Sequence, residues 1–205
     1  MIAALALLGT VRDARDAPRG GDADAALVAA HLKGDPDAFA ALYRAHASAV
    51  YRRLTRILGP IAERDDLVQD VFLALHGALP RFRGEAKLGT LIHRIAINKA
   101  CEHLRRNGRR PVALASERVL DEIALTATSP EHRAAAREEL ERVLACLARI
   151  KPKKRVAYLL RVVDGLSFEQ IGELVDATPE TVAKRVQHGQ RELDALLVHA
   201  ERRQP

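Results

Sequence analysis

The side chains best spaced to do chemistry lie in the last quarter of the chain. Val182, Val186 and Leu193 recur at helical intervals and mark an inner face. Thr181, Lys184, Arg185 and His188 then project from the opposite side, and Arg191 continues the row. Such a row offers cations and hydrogen-bond donors to phosphates and base edges, with Lys and Arg suited to guanine. Ser167 and Thr178 each precede an apolar helical pattern, so each can cap a helix whose free amides could hold a phosphate. A second basic group, Arg83, Lys87, Arg94 and Lys99, surrounds a segment containing Gly84 and Gly89, where a nucleic-acid strand could approach the backbone closely. Thr90, His93 and Asn98 add polar groups beside it, and Arg94, Asn98, Glu102 and Arg105 recur as a polar helical stripe. A third group is acidic: Asp65, Asp66 and Asp70, with Gln69 between them. It has no companion metal ligands, and on charge alone it reads as a solvated face.

Other chemistries lack their residues. There is no His-Glu-x-x-His, nucleophile elbow, phosphate-cradling glycine loop or zinc signature, so no enzyme activity and no cofactor or metal is expected. Cys101 and Cys146 stand far apart and read as small buried apolar residues. Lys and Arg number 33 against 27 Asp and Glu, a net charge of +6 that favours a polyanionic partner. The apolar run Met1 to Leu8 is too short to span a bilayer and has no basic residue before it. It reads as an N-terminal extension of a cytoplasmic protein with no membrane insertion.

The elements that must position these groups are all helical. Ala, Leu, Val and Arg dominate, and no stretch alternates as a strand would. Residues 1–23 read as a flexible extension, followed by a short helix from Asp24 to Lys33. Asp35-Pro36-Asp37 opens a second helix striped by Phe39, Leu42, Tyr43, Val50, Leu54 and Ile57. A third runs from about Ala62 to Leu79, where Pro80 stops it. Thr90 caps a fourth that reaches Arg106. Four helices with short connections make a bundle over 24–107. The pattern lapses over 108–130, a flexible linker. A second helical unit covers 131–200, and 201–205 form a tail. Its helices run from Glu131 to Ile150, from Pro152 to Asp164-Gly165, from Ser167, and from Thr178. The last two, joined by Val175-Asp176-Ala177, have a helix-turn-helix layout. The fold class is therefore all-α, two small helical domains on a flexible linker.

These motifs carry a resemblance. Asp164-Gly165-Leu166-Ser167-Phe168-Glu169-Gln170-Ile171, then Thr178-Pro179-Glu180-Thr181-Val182 and Arg185, resembles region four of extracytoplasmic-function (ECF) sigma factors. Gly34 to Phe39 with Leu42-Tyr43, Asp66 to Phe72, Arg81 to Gly84, and Ile92 to Ala96 with Asn98 resemble region two. The likeness covers roughly residues 24–200 with its parts in order. It implies a sigma subunit that directs bacterial core RNA polymerase to promoter DNA and assists opening. By that likeness Asp66, Gln69, Asp70 and Phe72 would dock on core polymerase. Arg83, Lys87, Thr90, His93, Arg94, Asn98 and Lys99 would serve the minus-ten element. Ser167, Thr178, Thr181, Lys184, Arg185, His188 and Arg191 would serve the upstream, minus-thirty-five element. A partner anti-sigma factor is implied by the resemblance only.

The sequence departs from the family where an aromatic is common, at Leu91 and His93, and where Ala183, His188 and Gln190 replace frequent cations. Missing rings would weaken stacking of unpaired bases. Gly189 inside the last helix costs about 1 kcal/mol relative to Ala. A stand-alone helix-turn-helix regulator remains the alternative, distinguished by binding its operator without polymerase.

Overall fold

A computed structural model of the chain describes residues 21–59, 61–107 and 130–202. Among these every regular element is a helix. The first domain contains α1 (Asp22–Leu32), α2 (Pro36–Leu58), α3 (Arg64–Ala78) and α4 (Leu88–Arg106), with a 3-10 turn at Leu79–Arg81 after α3. The second contains α5 (Pro130–Arg149), α6 (Pro152–Val162), α7 (Phe168–Val175) and α8 (Pro179–Glu201). The expected linker, most of the N-terminal extension and the last three tail residues lie outside the described residues.

Local chemistry explains where the helices begin. The Asp35 carboxylate accepts the Asp37 amide at 2.9 Å, and Pro36 occupies a first-turn site that needs no donor. Ser167 and Gln170 close a reciprocal capping box at α7, with hydrogen bonds of 3.2 and 2.9 Å. Thr178 accepts the Thr181 amide at 3.3 Å to start α8. One expected cap is corrected: α4 begins at Leu88 behind Lys87, so Thr90 lies inside its first turn and caps nothing. The apolar Leu88 at the helix start is buried, and this draws the helix back past Gly89.

Leu42, Val50, Leu54 and Ile57 from α2 meet Val71 and Leu75 from α3 and Ile92, Ala96 and Ala100 from α4. α1 is tied down by Asp24, whose carboxylate lies 3.1 Å from His46 Nε2 on α2, both side chains being buried. In the second domain Leu140, Leu144 and Leu147 of α5 pack with Tyr158 and Leu159 of α6 and Leu193 of α8. The Arg155 side chain is wholly buried with no hydrogen-bond partner on its guanidinium among the described residues, and burial lowers its pKa to about 10.

The two domains are packed on each other. Val156, Ala157 and Leu160 of α6, Ile171 and Leu174 of α7 and Val182 of α8 join the same buried cluster as α2, α3 and α4. α4 lies against α6 and α7, and α2 against α6.

Candidate nucleic-acid interface

Between the 3-10 turn and α4 the chain must reverse without regular structure. Gly84 makes this possible with φ of 75°, a left-handed conformation that strains residues carrying a Cβ. The reversal leaves an open cavity of about 530 Å³. Arg81, Phe82, Arg83 and Glu85 form one wall, and Thr90, Leu91 and Arg94 on the first turns of α4 form the other. Arg81, Arg83 and Arg94 are exposed. Phe82 is half-buried, its ring packed on the first-domain core. A cavity with an aromatic wall and guanidinium groups on its rim can take an unstacked base and hold the phosphates on either side.

Further along α4 the polar face continues through Asn98 and Arg105, but there it meets the second domain. Ile97, Asn98, Cys101, Glu102 and Arg105 form one side of a cleft of about 210 Å³, and Lys153, Val156, Val175 and Arg185 form the other. The Cys101 thiol is pushed up in pKa by burial, against the opposing fields of Arg105, Lys153 and Arg185.

The helix-turn-helix is set by a close approach. Asp176 takes a left-handed conformation (φ 50°, ψ 63°), and the Ala177 amide donates to the Gly172 carbonyl at 3.1 Å. A Cβ on Gly172 would stand 2.5 Å from the Ala177 carbonyl oxygen, so only glycine permits this turn. Gly189 likewise earns its place in α8. Its Cβ would lie 3.1 Å from the Lys154 oxygen and 3.2 Å from the Tyr158 Cβ, so α8 seats directly on α6. On the outer side Lys184, His188 and Arg191 are exposed, and Lys184 pairs with Glu180 at 2.8 Å within its own helix. Thr181 and Arg185 are partly buried.

The third surface is on α3, where Asp66 and Gln69 are exposed and Asp70 is partly so. Leu73 shares their helical face and is 71% exposed, an unusual position for a leucine in a well-packed domain.

The first domain matches the family model described as Sigma-70 region 2 over residues 42–110. The second matches that described as Sigma-70, region 4 over residues 140–193. The ECF RNA polymerase sigma-E factor of Escherichia coli (strain K12) is 32% identical over 177 residues, which cover 83% of this chain and 92% of that protein. The chain belongs to the ECF family of RNA polymerase sigma factors. The RNA polymerase sigma-H factor of Pseudomonas aeruginosa is 30% identical over 180 residues, covering 85% of this chain and 93% of its own. Among solved structures, that of CnrH in complex with the cytosolic domain of CnrY superimposes with a TM-score of 0.59. It is 26% identical and covers 87% of this chain and 99% of that chain.

The geometry of this sigma factor sorts the residues singled out in the sequence. Arg83, Thr90 and Arg94 come together at the large cavity, while Lys87 is exposed at the N-cap of α4. Asn98 shares the α4 face with Arg94 but opens into the interdomain cleft. His93 is partly buried to one side of that face. Lys99 departs from the expected group, because it turns toward α3 and stands 3.9 Å from Asp70. The helical period places it about 140° from Arg94, so the two do not share one side of α4. Phe72 is 3% exposed, its ring tilted against Tyr43 at 4.6 Å between centroids, and supports α3 from beneath. Leu73, one residue on, takes the outward position. Arg185 faces α4 across the cleft where an outward row was expected. Sequence reasoning passed over Phe82 and Leu73. The ring flanked by Arg81 and Arg83, and a leucine seven residues after Asp66 on a polar face, were the signals available.

Proposed function

We propose that this sigma factor serves core RNA polymerase through three surfaces carried by two domains, 24–107 and 131–200, joined by 108–130. The outer face of α3 docks on core polymerase. Asp66, Gln69 and Asp70 supply an acidic frame that steers a basic partner, and Leu73 supplies the apolar contact at its centre. The cavity beside α4 receives an unpaired base of the minus-ten element. Phe82 is its stacking surface, and Arg83, Arg94 and Lys87 hold the strand. Phe82 thus supplies a ring that Leu91 and His93 do not. The outer side of α8, with Thr181, Lys184, Arg185, His188 and Arg191, reads the minus-thirty-five element in the major groove. The α7 and α8 N-termini at Ser167 and Thr178 are aligned toward its phosphates.

The observation that carries this reading is the cavity itself, which joins an aromatic wall to three exposed guanidinium groups at the head of α4. No bond is made or broken by the protein, which acts in the cytoplasm as a specificity subunit and not as an enzyme. Among the described residues no helix is long and apolar enough to cross a membrane. The likeness to CnrH, solved with the cytosolic domain of CnrY, supports a protein antagonist of anti-sigma type for this chain as well.

The test is reconstitution. Purified chain mixed with core polymerase should direct transcription from promoters that core alone ignores, and an unpaired-base fluorophore at the minus-ten element should report opening. An absence of any complex with core polymerase would refute the assignment.

A further inference from the structure

One carboxylate stands in the row of cations that α8 turns outward. Glu180, Lys184, Gln187 and Arg191 recur at spacings of four, three and four, which brings them within about 60° of one another around the helix. All four are exposed. Lys184 Nζ donates to Glu180 Oε1 at 2.8 Å, and the two side chains are 68% and 77% exposed. The first turn that carries Glu180 is fixed from below. Thr178 accepts the Thr181 amide, and the two threonine hydroxyls hydrogen-bond at 2.9 Å.

On an ordinary surface helix such a pair only stabilises, since Glu four residues before Lys and an acid in the first turn both suit a helix. Here the pair stands at the N-terminal end of the helix, where a recognition helix meets base edges. A carboxylate there is repelled by every phosphate it approaches. Only a hydrogen-bond donor on a base compensates it, and in the major groove those donors are cytosine N4 and adenine N6.

A C·G pair complements both charges at once, because cytosine N4 donates while guanine O6 and N7 accept. N4 and O6 are joined by the base pair's own hydrogen bond, so they lie about 2.9 Å apart. That nearly equals the 2.8 Å between Lys184 Nζ and Glu180 Oε1. An A·T pair fits less well: adenine N7 sets an acceptor beside N6, against the carboxylate, and the thymine methyl crowds O4. The reversed pairs, G·C and T·A, put an acceptor under the carboxylate. We propose that Glu180 and Lys184 act as one unit that selects a C·G pair in the upstream element, with cytosine under Glu180 and guanine under Lys184. Glu180 is then a specificity-determining residue of this sigma factor. The proposal rests on the reading of α8 as the helix that enters the major groove.

The test uses the full chain assembled with core polymerase and promoter fragments randomised through the upstream element, with the retained fragments sequenced. Wild type should enrich C·G at one position about tenfold over the reversed pair. Glu180→Gln keeps the shape of the side chain and gains a donor. Glutamine pairs with adenine N6 and N7, so the preference at that position alone should pass to A·T. Glu180→Ala should flatten the preference there and Lys184→Ala should weaken it, with the other positions that wild type selects unchanged by Glu180→Ala. On a single promoter, the loss from Glu180→Ala and the loss from inverting that base pair should not add, because both break one contact. A helix-stabilising role alone would leave every base preference where it was, and thermal melts of the free chain measure that role separately. Glu180→Ala that retains all fragments more strongly, with the C·G preference intact, would reduce the carboxylate to repulsion and overturn the proposal. A wild-type holoenzyme with no upstream base preference would instead remove the major-groove reading, and the proposal with it.

Discussion

Removing the leucine at the centre of the α3 face tests the docking surface with little interference from folding. Leu73→Ala deletes three carbons, worth about 2.4 kcal/mol if moved fully out of water at ~0.8 kcal/mol each. Leu73 is 71% exposed in the free chain, so that share of its surface remains to be covered by polymerase. The product is about 1.7 kcal/mol, or roughly twentyfold in affinity. The same exposure means that the free protein should melt within about 0.5 kcal/mol of wild type. Binding of labelled sigma factor to core polymerase, followed by anisotropy at several salt concentrations, provides the assay. Leu73→Ala should raise the dissociation constant without changing its salt dependence, because no charge is touched. Asp66→Asn should do the reverse, slowing association chiefly at low salt. Unaltered affinity of Leu73→Ala for core polymerase would refute the reasoning, since a leucine buried in that interface cannot be lost without cost.

Three further outcomes follow from the packing. Phe82→Ala should reduce promoter opening about tenfold, as loss of one stacked base implies, while leaving binding of closed duplex nearly unchanged; an unpaired-base fluorescence signal equal to wild type would count against the cavity. Gly172→Ala would force a Cβ to within 2.5 Å of the Ala177 oxygen, so the second domain should lose about 1–3 kcal/mol in denaturant unfolding and the helix-turn-helix should lose duplex affinity. Arg155 is a buried cation with no hydrogen-bond partner among the described residues, and burial lowers its pKa to about 10, which corresponds to roughly 3 kcal/mol of penalty at neutral pH. Because the folded state depresses a base, that penalty is complete below about pH 10 and fades as the pH climbs above it. Arg155→Met should therefore raise stability by about 1–3 kcal/mol at pH 7, measured by chemical denaturation, and a fall in stability would show that the guanidinium finds a partner in solution.

Much of this was legible in the sequence because the signals were local. Asp35-Pro36, Ser167 with Gln170, and Thr178-Pro179 each encode a helix start within four residues, and all three caps form. Thr90 misled because its hydroxyl suited a cap while the buried neighbour Leu88 determined where α4 begins. On α3 the exposed Leu73 was passed over. A helical wheel alone places Leu73 between Asp66 and Gln69, but its exposure is set by which faces α2 and α4 cover. Nothing in the chain announces that Asp164 meets Arg53, since 111 positions separate them. The same is true of Arg185 and Cys101, whose neighbourhood exists only once two separately patterned domains have come together. Long-range juxtaposition leaves no periodicity to read, whereas caps and stripes do.

The seat of Gly189 on α6 has a practical side. The pose of α8 is set by that contact and by the Thr178 cap, both remote from Lys184, His188 and Arg191. Those three outward positions can be exchanged like interchangeable type in a fixed frame. A library varied only there should yield chains with new promoter preferences and unaltered melting temperature, making this helix a favourable starting point for orthogonal gene circuits.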